Sequence, residues 1–536
     1  MSEEKEQVIK MNEMQTQAAS AVSAGEWSPT IVAFLCNWCS YAGADLAGTG
    51  RNQYPPNIRV IRVPCSGRIN PIYIIKALVD GADGVMVSGC HPGDCHYLAG
   101  NYYARRRFSV LKKLLTTAGI NADRVHFTWV SASEGVRFAE VVRDVTDKVK
   151  ALGPKKDGLY CPLGALSGQK DDKPNTSSSQ PHAGHDTTQQ SGSNSSSPTP
   201  IIAGSSATRQ SSQTGQLHWR QQNDELIDIC KKLLEDGTVS TVIGFKDGGE
   251  LGMSTPYFLS SPGEADTLIW NDRCVPNLSG YLIGETGDGS LSHPQTGQGT
   301  DPCIAVVAKP CDARAVANLI KENQLKRENV YIIGLVCGGM VNGQGQQLPA
   351  CLDCRDHTPP VFDVLIGDPG SILTGNGGSG QGNAGGNARQ DTADSGQVGS
   401  ITDTSSERFY DEMKKCILCY SCRQSCYGCY CKTCFMDRGE PDWQPSKPDI
   451  GAKMLYHLGR AMHLSGRCVE CGACENACAS GVDIRYLIRQ ATNFIEDMYD
   501  YRTGMDFETE SAMLTYETDD CEVGFLGNAD GGGTHA

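Results

Sequence analysis

Cysteines are the residues of this sequence best placed to do chemistry: there are 25 of them among 536 residues, many at regular spacing. The stretch CILCYSCRQSC puts Cys416, Cys419, Cys422 and Cys426 in C-x-x-C-x-x-C-x-x-x-C spacing. CVECGACENAC repeats it with Cys468, Cys471, Cys474 and Cys478. A tight loop with three thiols so spaced can hold three corners of a compact iron–sulfur cube while a fourth thiol reaches in from elsewhere, and in chains with two such runs the fourth cysteine of each serves the other cluster. The spacing therefore predicts two 4Fe-4S clusters, one on Cys416, Cys419, Cys422 and Cys478, the other on Cys468, Cys471, Cys474 and Cys426. Neither run ends in Cys-Pro, because Tyr427 and Ala479 take those places. Zinc is the rival, since C-x-x-C pairs also build zinc ribbons, but three evenly spaced cysteines plus a fourth are unusual for it.

A second group of thiols lies near the start of the chain. SGCHPGDCHY carries Cys90, His91, Cys95 and His96, CNWC carries Cys36 and Cys39, and Cys65 closes IRVIRVPC. Three uses are open for the first stretch: zinc held by both cysteines and both histidines, a redox disulfide of the kind CNWC resembles, or a cluster shared between the two cysteine pairs with the histidines as hydrogen-bond donors around it. Cys274, Cys311, Cys337, Cys351 and Cys354 form a looser group, and Cys429, Cys431 and Cys434 another. The middle group either builds a third 4Fe-4S cluster or packs as buried thiols.

The elements that must position these groups follow from periodicity. TIVAFLC, IRVIRVPC, GVMVSGC and VHFTWVS read as strands alternating with helical stretches, a parallel α/β pattern. Cys36, Cys39, Cys65, Cys90 and Cys95 then fall at carboxyl ends of strands, the edge where open α/β sheets bind ligands, so five thiols distant in sequence should converge. CIAVVAKPCDARAVANLI reads as strand, turn and helix, and VYIIGLVCGGM as a strand ending at Cys337, with no G-x-G-x-x-G fingerprint after either. MLYHLGRAMHLSG, between the two cysteine runs, reads as helix. The expected fold class is multidomain: an α/β parallel-sheet N-terminal domain (28–153), a low-complexity linker (154–215), a middle α/β domain (216–373), a Gly-rich linker (374–405), a mainly helical dicluster ferredoxin domain (406–500) and an acidic tail (501–536). The N-terminal domain, of ordinary domain size, is expected to fold alone.

Composition narrows the setting. The first residues show no apolar segment with a small-residue cleavage site, so the chain reads as cytoplasmic, where a cysteine surplus means ligation rather than disulfides. No apolar run is long enough to span a bilayer. A formal net charge of −15 disfavours nucleic acid and anionic membrane, both of which reward basic surfaces. Protein and small-molecule partners remain.

Three stretches of the first domain, CNWCSYAGADLAGTGR, PCSGRI and GCHPGDCHYLAGNYYARRR, are similar to the delta subunit of methyl-viologen-reducing hydrogenase. That resemblance implies a 2Fe-2S cluster held by four among Cys36, Cys39, Cys65, Cys90 and Cys95, with Cys65 the first to be dispensed with. It also implies electron delivery to heterodisulfide reductase. KPCDARAV, DVLIGDP and the paired cysteine runs resemble iron–sulfur beta subunits of the formate dehydrogenase and deazaflavin-reducing hydrogenase type, some of which bind FAD; no motif locates a flavin here. The expected function is an electron relay between hydrogenase or dehydrogenase subunits and a heterodisulfide-reductase-like flavoprotein of an anaerobe, a task that demands no catalytic side chain. The alternative is a flavin-containing oxidoreductase subunit exchanging electrons with a deazaflavin or nicotinamide carrier.

Overall fold

The computed structural model describes residues 27–155, 207–249, 252–283, 303–371, 402–437 and 449–520. Most of both expected linkers, and residues 521–536, lie outside them. Four strands, β1 (Ile31–Cys36), β2 (Ile58–Val63), β3 (Gly84–Gly89) and β4 (Val125–Trp129), make an all-parallel sheet in the order β2-β1-β3-β4. Four helices connect and cover them: α1 (Ser40–Thr49), α2 (Pro71–Val79), α3 (Gly100–Thr117) and α4 (Gly135–Leu152). β3 is buried along its whole length, which is why GVMVSG reads as a run of small and apolar residues rather than an alternation. Asn70 starts α2 by accepting a hydrogen bond from Ile72 N at 3.1 Å, with Pro71 in the first turn, where a missing N–H costs nothing. The order reverses between β1 and β3, and in such sheets the crevice beyond the carboxyl ends of those two strands is the binding position.

The second sheet has five strands in the order β6-β5-β7-β8-β9. The long helix α5 (Ala207–Glu235), which begins inside the stretch read as linker, leads to β5 (Thr241–Asp247) and β6 (Ser254–Leu259). These two form an antiparallel pair that period counting had not picked out. β7 (Ile304–Ala308), α6 (Pro310–Lys321), β8 (Val330–Leu335) and β9 (Val364–Ile366) complete the sheet with parallel pairings. Cys311 sits in the first turn of α6, and Cys337 lies two residues beyond β8.

Beyond residue 402 the longer regular elements among the described residues are helical: α7 (Thr402–Lys415), α8 (Ile450–Leu464) and α9 (Ile484–Tyr499), with the cysteine runs between them in loops that each include one helical turn, Ser421–Gln424 and Ala473–Asn476. Residues 501–520 follow as a strap without helix or strand. Arg106 Nε donates to Asp520 at 2.6 Å, Arg105 Nη2 to Glu517 O, and Tyr516 stacks on Tyr102 with ring centres 4.8 Å apart. Gly504, at φ +73°, lies against the carbonyl of Arg314, where a Cβ would collide with backbone.

The N-terminal domain does not close its core by itself. Ile72, Ile75, Phe108 and Leu111 of α2 and α3 share one continuous apolar cluster with Phe409, Leu455, Leu458, Leu487 and Ile488 of α7, α8 and α9. A fragment ending at residue 153 would bare that face to water, which argues against the autonomy expected from its size. Gly459 of α8 is the closest point of approach: a Cβ there would stand 3.1 Å from Ile72 Cγ1 and 3.0 Å from Phe435 Cζ. Gly459→Leu is therefore expected to overpack the junction and lower stability by about 1–3 kcal/mol in urea unfolding. Intrinsic helix propensity alone would change it in the opposite direction.

His126 of β4 adds a pH dependence. Burial first, then the charges of Lys112 and Lys148, hold its imidazole down at about 4, below the ordinary 6.5. A group with a depressed folded pKa binds its proton in the unfolded chain first, so stability is full above pH 6.5 and falls as the pH drops toward 4. This one residue accounts for up to about 3 kcal/mol. Urea midpoints measured across that window should fall less steeply in His126→Phe than in the parent chain.

Candidate metal centres

The switch point of the first sheet gathers all five N-terminal thiols. Cys36, Cys65, Cys90 and Cys95 are buried and Cys39 is half-buried at the rim. They are paired: Cys36 Sγ lies 3.7 Å from Cys90 Sγ, and Cys65 Sγ 3.8 Å from Cys95 Sγ. Cys36 is also within electrostatic reach of Cys65, and Cys39 of Cys90, which joins the pairs into one group. Cys65 and Cys90 hold the Cys36 thiol well below the ordinary range. Cys36, with burial, pushes Cys65 and Cys90 above it.

Local structure explains the convergence. Buried Ser40 at the start of α1 donates to Gly89 O at 3.2 Å and accepts from Ser88 Oγ at 2.8 Å, fixing the loop after β1 against the end of β3. Asn101 Nδ2 donates to Cys90 O and His91 O, which pins the loop between the two cysteines. Gly100 brings the first turn of α3 against the sulfurs of Cys65 and Cys95, where a Cβ would overlap the Cys65 sulfur. The histidines are engaged elsewhere. His91 Nε2 meets Glu134 at 2.7 Å, and His96 stacks on Trp38 with ring centres 3.8 Å apart. No disulfide joins the cysteines, which are free.

The donor set fits two metals better than one. A tetrahedral metal with bonds of about 2.3 Å to sulfur sets adjacent ligand sulfurs about 3.8 Å apart, which is the spacing inside each observed pair. Among the described residues no three His, Cys, Asp or Glu side chains surround a single ion position. Cys65 makes one of the two close pairs, and Cys39 makes neither.

The two C-terminal loops are built alike. In the first, Leu418 and Tyr420 have positive φ; in the second, Glu470 and Gly472 occupy the matching positions with the same sign. These left-handed residues wind the backbone so that N–H groups face the thiols. Leu418 N donates to Cys416 Sγ, and Glu470 N to Cys468 Sγ, both at 3.3 Å. Cys416 is within electrostatic reach of Cys422 and Cys478. Cys471 and Cys474 are within reach of each other and of Cys426, and Cys468 of Cys471 and Cys474. Cys419 is exposed at the tip of its loop, with Sγ donating to Ser421 Oγ at 3.4 Å.

Other thiols fall beside these groups. Cys429, which no spacing rule selected, donates its backbone N–H to Cys426 O at 3.0 Å. In the middle domain Cys337 is in electrostatic contact with Cys351 and Cys354, and Cys311 with Cys337 and with Cys471 of the helical region. Backbone N–H groups of Gly339 and Met340 donate to Cys337 and Cys351 at 3.4 and 3.3 Å. Cys274 is separate, its thiol turned to Ile269 O and Asn271 Oδ1. A cavity of about 610 Å³ opens between the middle domain and the C-terminal cysteine loops, lined in part by Asn277, Tyr281, Cys426, Tyr427, Cys429 and Tyr430.

Sequence reading missed Tyr456, His457 and Arg460, three buried polar side chains of α8 that face the C-terminal cysteines. The available signal was Tyr456, His457 and Arg460 within about one and a half turns of a mostly apolar helix set between two cysteine runs.

Fold and site together define a cysteine-rich α/β protein whose parallel sheet collects paired thiols at its switch point. Residues 31–153 match the family model of the methyl-viologen-reducing hydrogenase delta subunit. Residues 302–348 match the family model for the C terminus of the coenzyme F420 hydrogenase/dehydrogenase beta subunit. The D-type iron–sulfur subunit of the vhc F420-non-reducing hydrogenase of Methanococcus voltae is 58% identical over 131 residues, 24% of this chain and 91% of that protein. The corresponding D-type iron–sulfur subunit of the F420-non-reducing hydrogenase of Archaeoglobus profundus is 56% identical over 131 residues, 24% of this chain and 96% of its own. The A-type subunit of the ferredoxin:CoB-CoM heterodisulfide reductase of Methanosarcina mazei is 46% identical over 138 residues, 26% of this chain but 17% of that protein. Through its N-terminal domain the chain belongs to the methyl-viologen-reducing hydrogenase delta-subunit family. A segment of the hydrogenase/dehydrogenase beta-subunit type is joined to it in the same polypeptide.

Proposed function

We propose that the chain is an iron–sulfur electron-transfer subunit linking a hydrogenase or dehydrogenase to heterodisulfide reductase. The observation that carries this reading is the convergence of five thiols from three strand ends on one sheet edge, in a domain that spans 91% and 96% of two hydrogenase iron–sulfur proteins. In the N-terminal domain Cys36 with Cys90, and Cys65 with Cys95, would hold a 2Fe-2S cluster, two thiolates to each iron. Cys416, Cys419, Cys422 and Cys478 would hold one 4Fe-4S cluster, and Cys468, Cys471, Cys474 and Cys426 the other, in a helical ferredoxin-like domain. Cys311, Cys337, Cys351 and Cys354 would hold a third, beside Cys471.

Bound clusters supply one-electron redox change with little movement of their ligands. The chain's own part is to exclude water, hold the sulfurs and aim donors at them. The Leu418, Glu470, Gly339 and Met340 amides perform this last task, each at 3.3–3.4 Å from a cysteine sulfur.

Anaerobically prepared full-length chain should contain iron in at least these sites, with visible absorption and spin signals of reduced clusters and negligible zinc. Tagged chain recovered from its native host should bring with it a flavin-bearing protein of the heterodisulfide-reductase type. Stoichiometric zinc with a colourless protein would overturn the reading.

The 610 Å³ cavity favours a second reading for the middle domain. Its size suits a cofactor, and three tyrosines beside Cys426 and Cys429 suit an aromatic ring system. FAD there would exchange two electrons with a deazaflavin or nicotinamide carrier. Flavin released by acid from the purified chain, at one per chain, tests it.

A further inference from the structure

Helix α8 passes between the two C-terminal cysteine groups and carries a buried cation with no acid beside it among the described residues. Arg460 is buried on this helix, and its Nη2 donates to Cys422 O at 3.0 Å. Its Nε and Nη1 make no hydrogen bond of ordinary length. The charges it feels most are those of Cys426, Cys474, Cys429 and Cys422. A guanidinium keeps its proton in a protein, and a buried charge left without a counter-charge is strongly unfavourable. The anions these surroundings can supply are thiolates or what thiolates hold. Cys422 belongs to one proposed cluster, and Cys426 and Cys474 belong to the other, so Arg460 is the counter-charge of both.

Two neighbours on the same helix serve one cluster alone. Tyr456 Oη is 3.4 Å from Cys422 Sγ, and His457 Nε2 is 3.3 Å from Cys416 Sγ. A proton on His457 Nε2 can be donated to the thiolate sulfur of Cys416. The acids lie by the other cluster, Glu470 acting on Cys468 and Asp312 on Cys471, each held by a cation, Arg489 at 3.2 Å and Lys309 at 2.8 Å, that offsets part of its charge. Hydrogen bonds to the sulfurs and positive charge stabilise the more negative, reduced state of an iron–sulfur centre, and negative charge opposes it.

We propose that α8 sets the order of the two potentials. Arg460 raises both, while Tyr456 and His457 further raise the cluster on Cys416, Cys419, Cys422 and Cys478, making it the electron-accepting member. Electrons then run from the Cys468 side, which adjoins the middle-domain thiols through Cys471 and Cys311, toward the Cys416 side, which lies in the core shared with the N-terminal domain.

This inference rests on the two-cluster reading above, and the test separates them. Full-length parent chain is first titrated anaerobically, with spin resonance reading each 4Fe-4S signal; the signal altered in Cys419→Ser marks the Cys416 cluster. That signal is expected at the higher midpoint. Tyr456→Phe, which removes one oxygen, should lower that midpoint and leave the other in place. Arg460→Met should lower both, and Arg460→Lys should restore much of the loss. A parent chain without two such signals overturns the two-cluster reading and this inference with it. Two normal signals in the reverse order, or unmoved by Tyr456→Phe and Arg460→Met, overturn this inference alone. Should Arg460→Met lose iron, Tyr456→Phe decides the result by itself.

Discussion

Cys65→Ala is expected to abolish the visible and spin signals of the N-terminal centre and to remove about two irons per chain, the content of a 2Fe-2S cluster. Cys39→Ala should retain both. The contrast follows from geometry: Cys65 pairs with Cys95 at 3.8 Å, so it lies inside the group. Cys39 is half-buried at the rim and makes neither of the two close sulfur pairs. Cys36, Cys90 and Cys95 substitutions should behave like Cys65→Ala. Circular dichroism should stay native in all of these variants, because the sheet and its helices are packed by apolar residues and the thiols sit at one edge. Iron analysis across the five variants decides it: two irons retained in Cys65→Ala and lost in Cys39→Ala would reverse the assignment.

Cys471→Ala is expected to have the second largest effect. Cys471 lies among Cys474 and Cys426 and is also the thiol of this group that Cys311 of the middle domain feels. Its loss should remove about four irons and isolate the middle-domain thiols from the rest of the chain. Losing a residue that merely supports a ligand costs 10–100-fold in metal affinity or activity, so losing the ligand itself should slow electron passage between the middle and N-terminal domains by at least about 100-fold. Rapid-mixing spectroscopy, with reductant supplied to one end and bleaching followed at the other, measures it. Transfer at the parental rate would place the route elsewhere.

What could be read directly from the residue string was chemistry carried by short-range spacing. Three thiols at intervals of three residues occupy one loop in any fold, so the paired runs at Cys416 and Cys468 were visible as cluster candidates without coordinates. Short continuous apolar runs such as GVMV, bounded by turn residues, mark strands buried on both faces, and they put Cys36 and Cys90 at strand ends. The long-range arrangement needed the tertiary structure. Nothing in the sequence orders the strands β2-β1-β3-β4, and that order makes the ends of β1 and β3 neighbours. It is also the folded chain that sets Cys65 against Cys95 and leaves Cys39 outside both pairs. The shared core of α2, α3 and α8 was hidden because an apolar helix face looks the same whether it covers its own sheet or another domain. Arg460 was hidden for a related reason: a lone arginine on an apolar helix usually reads as a side chain reaching solvent. Only the folding of two cysteine loops around it makes it a buried charge between them.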